Sequence, residues 1–168
     1  MIYNLTIPPF IKALNNLSGI LDKGAQFAEI KKIDPEVLLQ SRLAPDQFHL
    51  GRQIQIACDT AKLGASRLTG KTAPTHPDTE KTLGEFKTRI NETIAYLKTF
   101  SEQDFKDSEN REITNNRWEG KSLSGSDFLV HHALPNIYFH VTTAYSILRH
   151  NGVDVGKGDY LGKMPFKS

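Results

Sequence analysis

The sequence predicts an all-α fold: a four-helix bundle with a long loop or small hairpin before the last helix and an extended C-terminal tail. Three observations predict it. Four segments repeat apolar residues at spacings of three and four, which gives each one a face to bury. Glycine, proline and capping residues cluster where those segments start and stop. With 38% apolar and 24% charged residues, a chain of 168 can bury one core, so residues 1–168 are expected to form a single domain.

Taken in order, Pro8 and Pro9 are compatible with the first turn of a helix, and Phe10, Leu14, Leu17, Leu21, Gly24 and Ala28 then mark its stripe. Asp34-Pro35 signals the start of a short connecting helix to Gln40. A second long helix is expected from about Asp46 to Leu68, carrying Leu50, Ile54, Ala57, Ala61 and Ala65 inward and stopping at Gly70. Its solvent face would hold Gly51, Arg52, Gln55, Asp59, Lys62 and Ser66. After the proline-containing stretch Lys71 to Asp78, Leu83, Phe86, Ile90, Ile94 and Leu97 define a third helix. Residues 101–125 lack periodicity and read as a loop or small hairpin, long enough for a crossover. Ser126 and Asp127 can cap the fourth helix, with Pro135 as a kink and Ile137, Val141, Ala144 and Leu148 as its stripe before Gly152. Residues 153–168 read as an extended tail across the bundle.

Four such stripes bury most readily against one another, which gives the bundle. Charge balances at 21 basic to 19 acidic residues without blocks, so no nucleic-acid partner is expected. No apolar run reaches membrane length, no leader is expected at the N-terminus, and the lone Cys58 implies no disulfide; the expected address is the cytoplasm.

The residues with chemistry to offer are few. His49, Gln53 and Thr60 fall on a seam between the main apolar stripe of the second helix and a minor one of Ile56 and Leu63, which predicts a partly buried polar line. His140 lies within the apolar face of the fourth helix, with Asn136 one turn earlier at the i, i+4 spacing of paired ligands. Imidazoles from facing helices could converge on a metal. They could also line a metal-free pocket, and the pattern by itself favours core groups satisfied by hydrogen bonds over either site. His131, His150 and His76 read as peripheral. Gly152 to Lys157 has one residue too few between its glycines for a phosphate loop, and Ser122, Ser124 and Ser126 form no nucleophile elbow. Arg111, Arg117 and Trp118 read as residues that tack the long loop onto the bundle.

Phe48-His49-Leu50-Gly51-Arg52-Gln53, Arg67-Leu68-Thr69-Gly70, Pro135-Asn136-Ile137-Tyr138-Phe139-His140 and Leu148-Arg149-His150-Asn151-Gly152-Val153 together span most of the chain. In them the sequence resembles an uncharacterised family of the DinB-like superfamily. The resemblance implies a four-helix bundle, often a homodimer, with a divalent metal (zinc or nickel) held by three histidines, one from the second helix and two from an H-x-x-x-H on the last. His49 matches the first position and His140 the last, while Asn136 stands in the middle one. Some relatives are thiol-dependent transferases and isomerases. The expected function is accordingly a degenerate metal site or small-ligand site built on His49, Gln53, Asn136 and His140, with His49 and His140 as the metal donors. The alternative is a non-enzymatic dimer in which those residues only specify packing, and the choice between enzyme and non-enzyme stays open.

Overall fold

In the computed structural model, which describes residues 1–167, helix α1 spans Ile2–Lys31. It begins a turn earlier than proline placement suggests, so Pro8 and Pro9 lie inside it. Neither can donate to the carbonyls of Asn4 and Leu5. The extra turn holds because Ile2, Thr6 and Ile7 are buried and the Thr6 hydroxyl donates to Ile2 O at 2.7 Å. Asp34 accepts from the Glu36 amide at 2.9 Å and opens the short α2 (Glu36–Gln40).

Helix α3 (Leu50–Thr69) starts four residues later than the periodicity suggests and ends at Gly70, whose left-handed φ of 79° suits glycine. Helix α4 (Leu83–Leu97) opens with a capping box, Thr82 accepting from the Glu85 amide and the Glu85 carboxylate from the Thr82 amide. Between α4 and the last long helix come two 3₁₀ turns and the expected small hairpin, Ile113–Thr114 (β1) paired antiparallel with Ser122–Leu123 (β2). Ser108 Oγ and Arg111 Nε both donate to Leu68 O, at 2.6 and 3.1 Å, so this connection caps the C-terminal end of α3. Helix α5 (Gly125–Phe128), capped by Ser124 rather than Ser126, runs through a π-helical turn at Leu129–Ala133 into α6 (Leu134–His150). The kink expected at Pro135 is thus a widened turn just before it. The tail buries Val153 and Val155 and then forms a short helix, α7 (Lys157–Leu161), on α1; Ser168 lies outside the described residues.

The long helices form a ring in which α1 touches α4 and α6, and α3 touches the same two. Residue pairings give the directions. Gln53 meets His140 and Thr60 meets Asn136, so α3 and α6 are antiparallel. Gly51 meets Phe86 and Asp59 meets Arg89, so α3 and α4 run the same way. The crossover is therefore residues 70–82, not the longer segment before α5. Twenty residues of α3 rise about 30 Å, and the thirteen residues 70–82 reach about 43 Å when extended, so the return is feasible.

That return path explains why Gln55 and Lys62 are buried, where the sequence predicts a solvent face, while Gly51 of the same face is covered by Phe86 of α4 and by His49. The crossover lies along Gln55 and Lys62. Gln55 donates to Glu80 at 3.0 Å, and Lys62 donates to His76 Nδ1 at 3.1 Å. The clamp is Arg89, 2% exposed, which donates to Asp78 at 2.9 Å and Glu80 at 2.8 Å on the crossover and to Asp59 at 2.9 Å on α3. Burial opposes ionisation of Asp78 and Glu80, but the hydrogen bonds from Arg52, Arg89 and Gln55 hold both carboxyls below their ordinary values. Carboxylates lowered in this way stabilise the fold above their unfolded pKa values of 3.8 and 4.5. That contribution is lost as pH falls through their folded values. Acid melts should therefore show a loss below about pH 4.5 that Arg89→Met largely abolishes.

Candidate functional site

The seam between α3 and α6 brings three of the four sequence-predicted site residues into two hydrogen-bonded pairs. Gln53 is buried, and its Nε2 donates to Phe48 O at 2.9 Å. A carbonyl oxygen can only accept, so the amide orientation is settled and Oε1 faces the other way. Oε1 lies 2.7 Å from His140 Nδ1. His140 must then donate from Nδ1, which leaves the lone pair of the neutral ring on Nε2. Nε2 has no hydrogen-bond partner among the described residues and is not one of the fully enclosed polar atoms. Two turns along α3, Asn136 Nδ2 donates to Thr60 Oγ1 at 2.6 Å.

Burial, and then the positive charge of Arg52, push the pKa of His140 down to about 4 from 6.5. At neutral pH the ring is an uncharged acceptor. The unfolded chain takes up a proton near pH 6.5 while the native ring does not, so stability is lost as pH falls from 6.5 towards 4. Over that window the loss is on the order of 2 to 3 kcal/mol. His140→Asn keeps an amide donor towards Gln53 and removes this titration, so urea melts of the variant should lose clearly less stability than the wild type across this range, the remainder coming from His76 and His132, whose pKa values burial also lowers.

His49 behaves differently. It precedes α3, so helical-wheel geometry does not govern it, and its Nδ1 lies 2.9 Å from Leu39 O and 3.3 Å from the Arg52 amide. One neutral nitrogen cannot donate to the first and accept from the second. The shorter contact and the proton-less carbonyl decide for donation to Leu39 O. His49 thereby ties the α2 connection to the start of α3. It lines a polar cavity of about 240 Å³ with Gln55, Asp78, Glu80 and Phe86, which neither His140 nor Asn136 borders. Among the described residues, no three His, Cys, Asp or Glu side chains gather as a metal site would require.

Four groups cluster at the open end of the seam. Phe48 and Phe139 are each 55% exposed, the Arg52 guanidinium lies 5.9 Å over the Phe48 ring, and the Phe139 ring meets His140 edge-on at 5.2 Å. Phe48 and Phe139 carry no sequence signal apart from being aromatic residues beside His49 and His140. Arg89 went unread because an arginine at the edge of an apolar stripe looks like a solvated charge. His131 and His150 are exposed, as expected, and Cys58 is fully buried, its thiol pushed up to about 12 by desolvation. His132 stacks on Phe128 and meets Trp118 edge-on, which fastens the hairpin to the π turn. No described helix is long and apolar enough to cross a membrane.

The fold agrees with that of a known protein. The crystal structure of a DinB family member protein from Shewanella denitrificans is 58% identical, covers 100% of this chain and 96% of its own, and superposes with a TM-score of 0.97. No curated protein matches the chain. A family model described as a domain of unknown function, DUF1993, matches residues 2–161. The chain therefore belongs to the DUF1993 family and, with its Shewanella neighbour, to the DinB-like helical bundles.

Proposed function

We propose that this bundle is a small-ligand-binding protein whose site is the open end of the α3–α6 seam, at His140. The observation that carries the reading is the Phe48 O, Gln53, His140 chain, which presets Nε2 as a neutral acceptor. Holding a tautomer through the opposite ring nitrogen is how proteins aim an imidazole at a ligand. The half-exposed rings of Phe48 and Phe139 supply two apolar faces beside it, and Arg52, already paired with Asp78, lies over the Phe48 ring. The matching ligand is a small flat molecule with an N–H or O–H donor.

A divalent cation at the same place would have one imidazole nitrogen and the neutral amide of Asn136, whose Nδ2 is engaged by Thr60. Catalytic zinc takes about three protein ligands, so these donors do not fit it and the reading needs no metal. Titrating the protein with phenol and benzamide while following amide and imidazole resonances tests it. Saturable shifts at His140, Arg52 and Phe139 that vanish in His140→Ala are expected; shifts unaffected by His140→Ala would overturn the reading. Zinc or nickel retained through dialysis by the wild type, and lost in His140→Ala, would instead favour the metal.

The dimeric reading has its own support. Phe48 and Phe139, the two rings around His140, are each more than half exposed and offer an apolar patch to a second copy. If they meet a second copy, Phe139→Glu shifts sedimentation from dimer to monomer.

A further inference from the structure

A second cavity lies on the other side of α6, away from the His140 seam. It is a groove of about 530 Å³ between α1, α6 and α7, continued along α1 by another of about 450 Å³. Its walls are apolar: Pro8, Pro9 and Ala13 of α1, Tyr138 and Val141 of α6, and Leu161 of α7. The short helix that closes one side is pinned in place. Asn16 Nδ2 donates to Tyr160 O at 2.8 Å, the Thr142 hydroxyl donates to the Tyr160 hydroxyl at 3.1 Å, and Lys23 pairs with Asp159 at 2.8 Å.

Among the described residues the rim is positive and has no anion of its own. Lys12 borders both parts of the groove, and among the described residues its ammonium has no hydrogen-bond or ion-pair partner other than the Met164 thioether, at 3.7 Å. Lys163 borders the second part. No acidic residue occurs in α1 before Asp22, and none occurs in α6. The one carboxylate of α7, Asp159, is held by Lys23 and by the Gly156 amide at 2.8 Å. An apolar trough with an unmatched cation at its mouth is complementary to an amphipathic anion.

We infer that this groove binds small amphipathic carboxylates, with the apolar body between Pro8, Ala13 and Val141 and the carboxylate at Lys12. The inference is independent of the His140 site, which lies on the opposite face of α6.

Octanoate, kept well below its micelle concentration, is the probe, with octan-1-ol and octylamine as uncharged and cationic counterparts. Titration into the labelled full chain should give saturable amide shifts at Ala13, Tyr138 and Leu161. Lys12→Gln should weaken octanoate about fivefold, the scale of one exposed charge contact, and leave octanol unchanged. Lys12→Glu should abolish octanoate binding and let octylamine bind. Lys163→Glu, at an exposed position, gives the same charge reversal if Lys12→Glu fails to fold. Equal binding of octanoate and octylamine to the wild type overturns the inference. So do shifts centred on Gln53 and His140, or no saturable shift at all.

Discussion

Gly125→Ala should destabilise the protein by at least about 3 kcal/mol, the upper range for overpacking a site that cannot relax. A Cβ at this position would drive into the carbonyl oxygen and carbon of Ser108, which are backbone atoms and not the end of a flexible side chain. Ser108 cannot retreat, because its hydroxyl donates to Leu68 O at 2.6 Å and the Ser126 amide donates to Glu109 O at 3.1 Å. The choice therefore lies between breaking the cap on α3 and displacing the rod from Gly125 to His150. Gly84→Ala is the control. A Cβ there would meet only the N-cap Thr82 hydroxyl, at an ordinary contact distance of 3.8 Å, and alanine favours the helix, so its melt should be unchanged or slightly more stable. Equal melts for the two variants would show that the Ser108 contact is not rigid.

Arg89→Met should cost about 3 kcal/mol, because removing one partner from a buried ionic cluster leaves the others uncompensated. The figure sits at the low end of that range because Asp59 and Asp78 keep 30% and 40% side-chain exposure and can rehydrate. The loss has a place as well as a size. With its clamp gone, the crossover 70–82 should lift from α3, so trypsin should cut after Lys71 and Lys81 under conditions where the wild type resists. Destabilisation without new cleavage there would mean that Arg89 supports the core and not the crossover. Arg89→Lys should recover only part of the loss, since an ammonium cannot reach three carboxylates as the guanidinium fork does.

The helices were legible because a face buried against a core leaves its period in the sequence. This holds for α4 over its whole length and for the stripe of α3 from Leu50 to Leu68. Direction and crossover leave no such period. The burial of Gln55 and Lys62 depends on which segment happens to return along α3, and only the path of 70–82 reveals that. The polar seam was legible in part: Gln53, Thr60, Asn136 and His140 follow from helical angles on α3 and α6 and do pair across it. His49 was placed by the same rule, but it lies one residue before the helix, where the rule lapses and the capping position decides. The two aromatic rings beside His140 were visible only as apolar residues, since exposure is a property of the assembled surface.

The central claim is that His140 is a neutral, Nδ1-protonated imidazole held by Gln53, with its Nε2 lone pair aimed out of the seam. Long-range proton–nitrogen NMR of the histidine side chains, followed from pH 7.5 to 3.5, tests it most directly. The account predicts a pyrrole-type Nδ1 and a pyridine-type Nε2 throughout the neutral range, with protonation only near pH 4. A proton on Nε2, or titration near the ordinary value of 6.5, would contradict it.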